Sequence, residues 1–347
     1  MLPVGKLPSS LLRRLVEKFE VEGPVSKHGV VLGAGLGEDA AALDCGSPAS
    51  YLVAKTDPIT FATEELGYYA VHVNANDVAT RGARPKWFMA TLLLPEGATT
   101  PKLVERVCDD VKAACDALGV VVVGGHTEVT HGLDRPIVVG VMLGEVPKGR
   151  LVRTSGARPG DAVVVTKGVP IEGAAVIALE KERELLAAGV DRTAVEKAKG
   201  YLHDPGISVV REALLAAEEF DVHSMHDPTE GGLAQGLHEV CEAAGVGIEV
   251  DLDSVPVLPE AALLCRHYGL DPLGTLASGA LVVTLAEAQA PHLVERLEEE
   301  RVNAVVLGRV VEKGGLVGTR GGTNGPRRFP IPHSEVDQLT KIFEKES

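Results

Sequence analysis

Apolar residues recur at helical spacing from the start of the chain. Leu12, Leu15, Val16 and Phe19 share one face behind Ser9 or Ser10 as cap, which predicts a helix over residues 8–20. "GVVLGAGLG" reads as a strand entering a loop, and "SYLVAKTD" as a strand that ends in Thr56 and Asp57. Helices are expected over 64–81 and 101–118, with strands at "WFMATLLL", "VVVVGG" and "PIVVGVMLGEV". The glycine, proline and charge of "RTSGARPGD", 153–161, mark a connector. The expected domains are therefore 1–152 and 153–347.

The second half opens with the strand "DAVVVTKG" and a helix from about Glu172, followed by helices near 190–202 and 206–219. In "DPTEGGLAQGLHEVCEAAG" the stripe of Leu233, Leu237, Val240, Cys241 and Ala244 predicts a helix that Gly245 ends. "GIEVDLD", "GALVVTLA" and "VNAVVLGRVV" supply further strands. Both halves mix strands and helices, so the class is α/β or α+β. The glycine- and proline-rich tail predicts a surface segment with limited packing before a short last helix. The chain holds no solenoid-type repeat and no low-complexity tract.

Composition narrows the function more than the fold. At 347 residues, 45% hydrophobic and 24% charged, this is globular material, and its apolar runs are too short to span a bilayer. No secretory leader is recognisable. Five scattered cysteines without C-x-x-C spacing suit a reducing cytoplasm, and Cys108 and Cys115 read as small core residues of one helix. A net charge of −15 argues against a nucleic-acid partner. It leaves nucleotides open, because divalent metals can join an acidic site to an anion. "VVLGAGLGED" has G-x-G-x-G spacing rather than the dinucleotide fingerprint, and Walker A is absent.

The acids carry the chemistry. Asp77 continues the stripe of Leu66, Ala70 and Val73 on its predicted helix, where a carboxylate is costly unless paired or bound to metal. Arg81, one turn on, is the plain structural partner. Asp39, Asp57 and Asp227 stand at the ends of other elements, where each is also an ordinary turn or cap residue. Four separated aspartates suit two or more magnesium ions along a triphosphate. Gly124 and Gly125 in "GGHTEVT" would let a loop backbone approach a ligand, and His126 reads equally as a ligand contact or a turn residue. Gly231 and Gly232, in the first turn of their helix, offer N–H groups to phosphate.

Taken together and in order, these segments resemble the AIR synthase superfamily, most closely the hydrogenase-maturation family HypE. The family's G-D-D-A-A is matched by Gly37, Glu38, Asp39, Ala40 and Ala41, and its T-D by Thr56 and Asp57. Its N-D-x-A-x-x-G-A-x-P is matched by Asn76, Asp77, Ala79, Gly82, Ala83 and Pro85. "MHDPTEGGLAQGLHEVCEAAGVGIEV" and "DPLGTLASGALVV" look most like HypE. The resemblance implies a two-domain AIR synthase-like fold. Its N-terminal domain would pair with a second copy through a β-barrel-like interface, and a C-terminal α/β domain would follow.

It also implies ATP and Mg2+ as cofactors, with Asp39, Asp57, Asp77 and Asp227 as metal ligands. Gly37, Asp39, Thr56, Asn76, Gly124, Gly125, Thr127, Gly231 and Gly232 are the implied nucleotide contacts. Lys6, Asp77 and His126 are the catalytic candidates; Lys6 either closes over the phosphates or is a solvated lysine. The implied reaction phosphorylates a carbonyl, amide or similar oxygen and then displaces or eliminates phosphate. Its acceptor would be a small molecule or a group borne on a protein, with a maturation-complex partner in the second case. A small-molecule kinase like thiamine-monophosphate kinase, and a nucleotide-binding scaffold without turnover, are the alternatives.

The departures concern the acceptor. HypE carries the carbamoyl group on a C-terminal cysteine, whereas no cysteine follows Cys265 here, so the expected acceptor is not a thiol of this tail. Glu38 stands for the usual first aspartate of its motif. "TKGVPIEGAA" lacks the serine–asparagine–glycine signature of AIR synthase, and no N-terminal cysteine resembles that of selenide dikinases.

Overall fold

The computed structural model describes residues 7, 9–16, 18, 28–35, 37–60, 64–321, 326–334 and 336–343. They divide into two compact units. The smaller holds 39–151 with the described residues of 28–34; the larger holds residues from 152 onward, 35–38 and helix α1 (Ser9–Val16). Residues 8, 17, 19 and 20 of the predicted 8–20 helix, and Lys6, lie outside the described residues.

The smaller unit contains β1 (Val30–Leu32), β2 (Ala41–Leu43), β3 (Ser50–Ile59), α2 (Leu66–Ala79), β4 (Arg84–Pro95), α3 (Pro101–Leu118), β5 (Val121–Thr130) and β6 (Ile137–Pro147). Its strands form one sheet in the order β1-β2-β3-β6-β4-β5, antiparallel except for the β4–β5 pair. In β6 every second residue is buried, the period expected of a strand with one covered face. Helix α2 lies against β3 and β6 on one side and α3 on another, and 12 of its 14 residues are buried. The predicted apolar stripe is thus only part of a helix enclosed on nearly all sides. For α3, the Thr100 hydroxyl accepts the Leu103 N–H, Pro101 starts the first turn and Gly119 ends the helix at φ 67°.

The larger unit adds β7 (Asp161–Thr166), α4 (Ile171–Glu180), α5 (Glu182–Ala187), α6 (Arg192–Gly200), α7 (Val210–Glu219), β8 (Val222–His226), α8 (Gly232–Ala244) and β9 (Gly247–Asp251). It continues through α9 (Pro259–Tyr268), β10 (Val282–Ala286), α10 (Ala290–Glu299), β11 (Ala304–Val311), β12 (Leu316–Arg320), β13 (Arg327–Pro330) and α11 (Thr340–Phe343). The seven strands run β13-β12-β9-β11-β7-β10-β8, and only β9–β12 is parallel. Central β7 is buried along its whole length. Val163, Val165, Leu233, Leu237, Ile248 and Val282 join it to α8 in one core. With a single parallel pair in each sheet, the mixed fold falls on the α+β side.

Two expectations need correcting. Cys108 is exposed, although Cys115 is buried as expected, because α3 covers only one of its faces. The tail packs firmly rather than loosely. Ile331 and Leu339 are buried, His333 stacks on His238 with ring centres 3.6 Å apart, and His238 Nε2 donates to the Ile331 carbonyl at 2.9 Å.

Candidate active site

Three of the predicted aspartates meet in the smaller unit, around a lysine that the motifs do not single out. Strand β3 presents Lys55 and Asp57, two residues apart and therefore on one face. Lys55 Nζ lies 2.8 Å from Asp77 Oδ2 on α2 and 3.3 Å from Asp57 Oδ2. Asp39, just ahead of β2, faces the fully buried guanidinium of Arg81, with Nη2 3.6 Å from Oδ2. The ion pair of Asp77 thus runs to Lys55, across the helix–sheet boundary, while Arg81, the partner expected from the helix spacing, faces Asp39. Nothing in the spacing of α2 reports that partner; the period of β3 places Lys55 only beside Asp57.

Electrostatics sharpen the site. Burial pushes the Asp77 carboxyl up to about 6, against the pull of Lys55, and the charges of Asp39 and Asp57 add to the rise. Burial works against the Lys55 charge, but Asp77, Asp57 and Asp39 outweigh it and hold the ammonium pKa above its ordinary value. Three carboxylates against two cations leave one negative charge in excess. Hard oxygen donors drawn from three separate elements are the donor type that magnesium takes.

The neighbouring motif residues divide. Thr56 points to the other face of β3 and donates its hydroxyl to the Gly140 carbonyl at 2.9 Å. Asn76 is fully buried within α2. Glu38, in the larger unit, accepts the N–H groups of Thr154 and Ser155, each at 3.1 Å, and the Ser155 hydroxyl at 2.7 Å. It organises a turn, and its extra methylene supplies the reach. Gly37, at φ 73°, brings the chain so close to α8 that a Cβ would stand 3.0 Å from the Glu239 carbonyl.

In the larger unit Asp227 directly follows β8 and is buried. Beside it in sequence, His226 Nε2 meets Glu239 Oε2 of α8 at 2.8 Å. The N–H groups of Gly231 and Gly232, expected to face phosphate, are bonded within the chain. Gly231 N–H is donated to Asp337 Oδ2 at 2.8 Å and Gly232 N–H to the Thr229 carbonyl at 3.0 Å. The helix end that attracts an anion already has one, supplied by the tail.

Residues 37–146 match the N-terminal domain of AIR synthase related protein, and residues 158–320 match its C-terminal domain. The chain belongs to the AIR synthase-related family. A carbamoyl dehydratase HypE of Rhizobium leguminosarum bv. viciae is 31% identical over 76% of this chain and 75% of its own. A putative hydrogenase expression/formation protein of Methanocaldococcus jannaschii is 29% identical over 79% and 80% respectively. Among solved structures, the hydrogenase maturation protein HypE in complex with ATP superposes with a TM-score of 0.69 at 26% identity, covering 94% of this chain and 98% of that one. A ThiL structure complexed with AMPPCP and TMP shares the fold, with a TM-score of 0.69 at 23% identity over 91% and 96%.

One further segment of this AIR synthase-related chain departs from expectation. Gly124, Gly125, His126 and Thr127 form no loop; they lie inside β5, paired in parallel with Met89, Ala90, Thr91 and Leu92 of β4. A Cβ on Gly125, at φ 154°, would stand 2.1 Å from the Ala90 carbonyl, so this glycine serves strand contact. Together with Cys108, Val111 and Lys112 of α3 these residues line a groove of about 400 Å³. His126 is exposed there, 3.3 Å from Glu128.

Proposed function

We propose that the protein is an ATP- and magnesium-dependent enzyme that activates a carbonyl, amide or similar oxygen by phosphorylation, in the manner implied by its HypE-like relatives. The observation that carries this reading is the convergence of Asp57 on β3, Asp77 on α2 and Asp39 just ahead of β2 onto one charged centre. These residues would hold the metal, which supplies charge neutralisation along the polyphosphate. Asp227 is proposed as a further ligand on the family resemblance. Within the chain, Lys55 and Arg81 fix the carboxylates in place before any ligand arrives, and such preorganised charge is the main resource of phosphoryl-transfer sites. Asn76, Gly124 and Thr127 remain proposed nucleotide contacts, and His126 and Lys6 proposed catalytic groups. Gly37, Thr56, Gly125, Gly231 and Gly232, whose contacts within the chain are described above, are proposed as nucleotide contacts as well.

The working form is inferred to be a homodimer. Strand β5 is an edge strand, and Val121, Val123 and Val129 are 59%, 53% and 56% exposed in the single chain. A long apolar edge with unpaired backbone groups favours a second copy of itself. A maturation partner is proposed because the relatives are hydrogenase expression and formation proteins, and the acceptor is a small molecule or a protein-borne group. Among the described residues no helix is long and apolar enough to cross a membrane. A cytoplasmic location is proposed from the free cysteines. No nucleic acid is assigned to a chain of charge −15.

The test is magnesium-dependent ATP turnover by the purified chain. Asp77→Asn and Asp227→Asn are each expected to lower it by on the order of 100-fold. Unchanged turnover in both variants would overturn the assignment.

A further inference from the structure

The cation at the centre of the carboxylate cluster belongs to the chain itself. Lys55 Nζ takes 2.8 Å and 3.3 Å contacts to Asp77 Oδ2 and Asp57 Oδ2. Those oxygens are the ones a divalent ion between the two side chains would need. The lysine is anchored by geometry, with side-chain exposures of 17% for Lys55 and 7% for Asp77, so its ammonium has little water with which to exchange its partners. Arg81, fully buried, neutralises Asp39 in parallel. With both cations in place the cluster offers a divalent ion a single excess negative charge; with Lys55 withdrawn it offers two.

We propose that Lys55 competes with the divalent cation for Asp57 and Asp77, so that metal enters only as the ammonium gives these carboxylates up. The inference rests on the functional reading above and deepens it: Lys55 is a positioning residue that sets how readily the site takes metal. A point charge on a flexible stem suits this role, because an ammonium holds carboxylates without the fixed two-pronged geometry of a guanidinium. The site then avoids holding metal tightly when no polyphosphate is present to receive the displaced charge.

The experiment measures Mn2+ binding to the full chain by electron paramagnetic resonance and calorimetry, without nucleotide. Lys55→Met preserves the length of the side chain and removes its charge. It is expected to bind Mn2+ at least tenfold more tightly than wild type, and the gain is expected to vanish in Lys55→Met/Asp77→Asn. Lys55→Arg, which keeps the pairing even if the methionine variant folds poorly, is expected to bind Mn2+ no more tightly than wild type and at least tenfold less tightly when ATP is present. Equal Mn2+ affinity in wild type and a folded Lys55→Met, or unchanged ATP-supported binding in Lys55→Arg, would overturn the proposal. Failure of ATP turnover in wild type would instead strike the functional reading, since the nucleotide-free arm does not depend on it.

Discussion

Glu38 shows how one methylene redirects a carboxylate. Where the family places an aspartate, the longer side chain reaches two backbone N–H groups and a hydroxyl at residues 154–155. Charge-assisted bonds of this kind contribute about 1.5–3 kcal/mol each at most. Glu38→Ala is therefore expected to destabilise the fold by about 2 kcal/mol, read from urea denaturation, with Glu38→Gln intermediate. Asp77 stands out because it breaks an apolar stripe and Asp57 because it is expected to end a strand, although β3 in fact runs on to Ile59 with Asp57 paired inside it. Lys55 was less visible, since a lysine on a half-buried strand is unremarkable until the two-residue period places it beside Asp57. Gly125 misled for the opposite reason. Glycine pairs suggest a ligand-facing loop, yet this one is needed by the Ala90 carbonyl 2.1 Å from its missing Cβ. Gly125→Ala is expected to cost more than about 2 kcal/mol, since backbone must shift to admit it.

At the scale of elements, α8 illustrates both what is written locally and what is not. Its apolar stripe and its Gly245 terminus, at φ 68°, follow from residues a few positions apart. Its N-terminal cap does not, because Asp337 arrives from 106 positions downstream. Asp337→Ala is expected to lower stability by about 1 kcal/mol, the usual worth of a helix cap, measured by thermal unfolding. Close by, Glu172 near the start of α4 carries a second consequence. Burial pushes its carboxyl up to about 7; a Ser278 hydrogen bond opposes the rise, and Asp337 and Glu230 reinforce it. The folded state therefore keeps a proton that the unfolded chain sheds near its ordinary value of 4.5. This contribution to stability is complete below pH 4.5 and is lost as pH rises towards 7. Glu172→Gln, which imitates the protonated form, is expected to melt above wild type at pH 7.5 and level with it near pH 4.5. Scanning calorimetry across that window checks the sign.

For the molecule as a whole, alternating and continuous apolar runs sufficed to announce strands and helices mixed in both halves. Strand order and the preference for antiparallel pairing were not legible, because they depend on contacts between distant segments. The proposed dimer belongs to this scale. Val123→Lys, at a half-exposed position of β5, should leave the fold of one chain intact and reduce self-association by at least tenfold, as read by light scattering over a dilution series. An undiminished dimer in the folded variant would remove β5 from the interface.

The bare margin of β5 also bears on how the protein must be handled. Natural sheets guard such margins with proline, lysine or a bulge that turns the strand away; between Val121 and Thr130 there is neither proline nor lysine, and the one guard is the extra residue Val123 in the register with β4. Newly made chains therefore face two competing fates at this strand, orderly mating with an identical copy or indiscriminate adhesion to whatever extended peptide is near. Slow expression at low temperature and refolding from dilute solution, followed by gradual concentration, favour the first fate over the second.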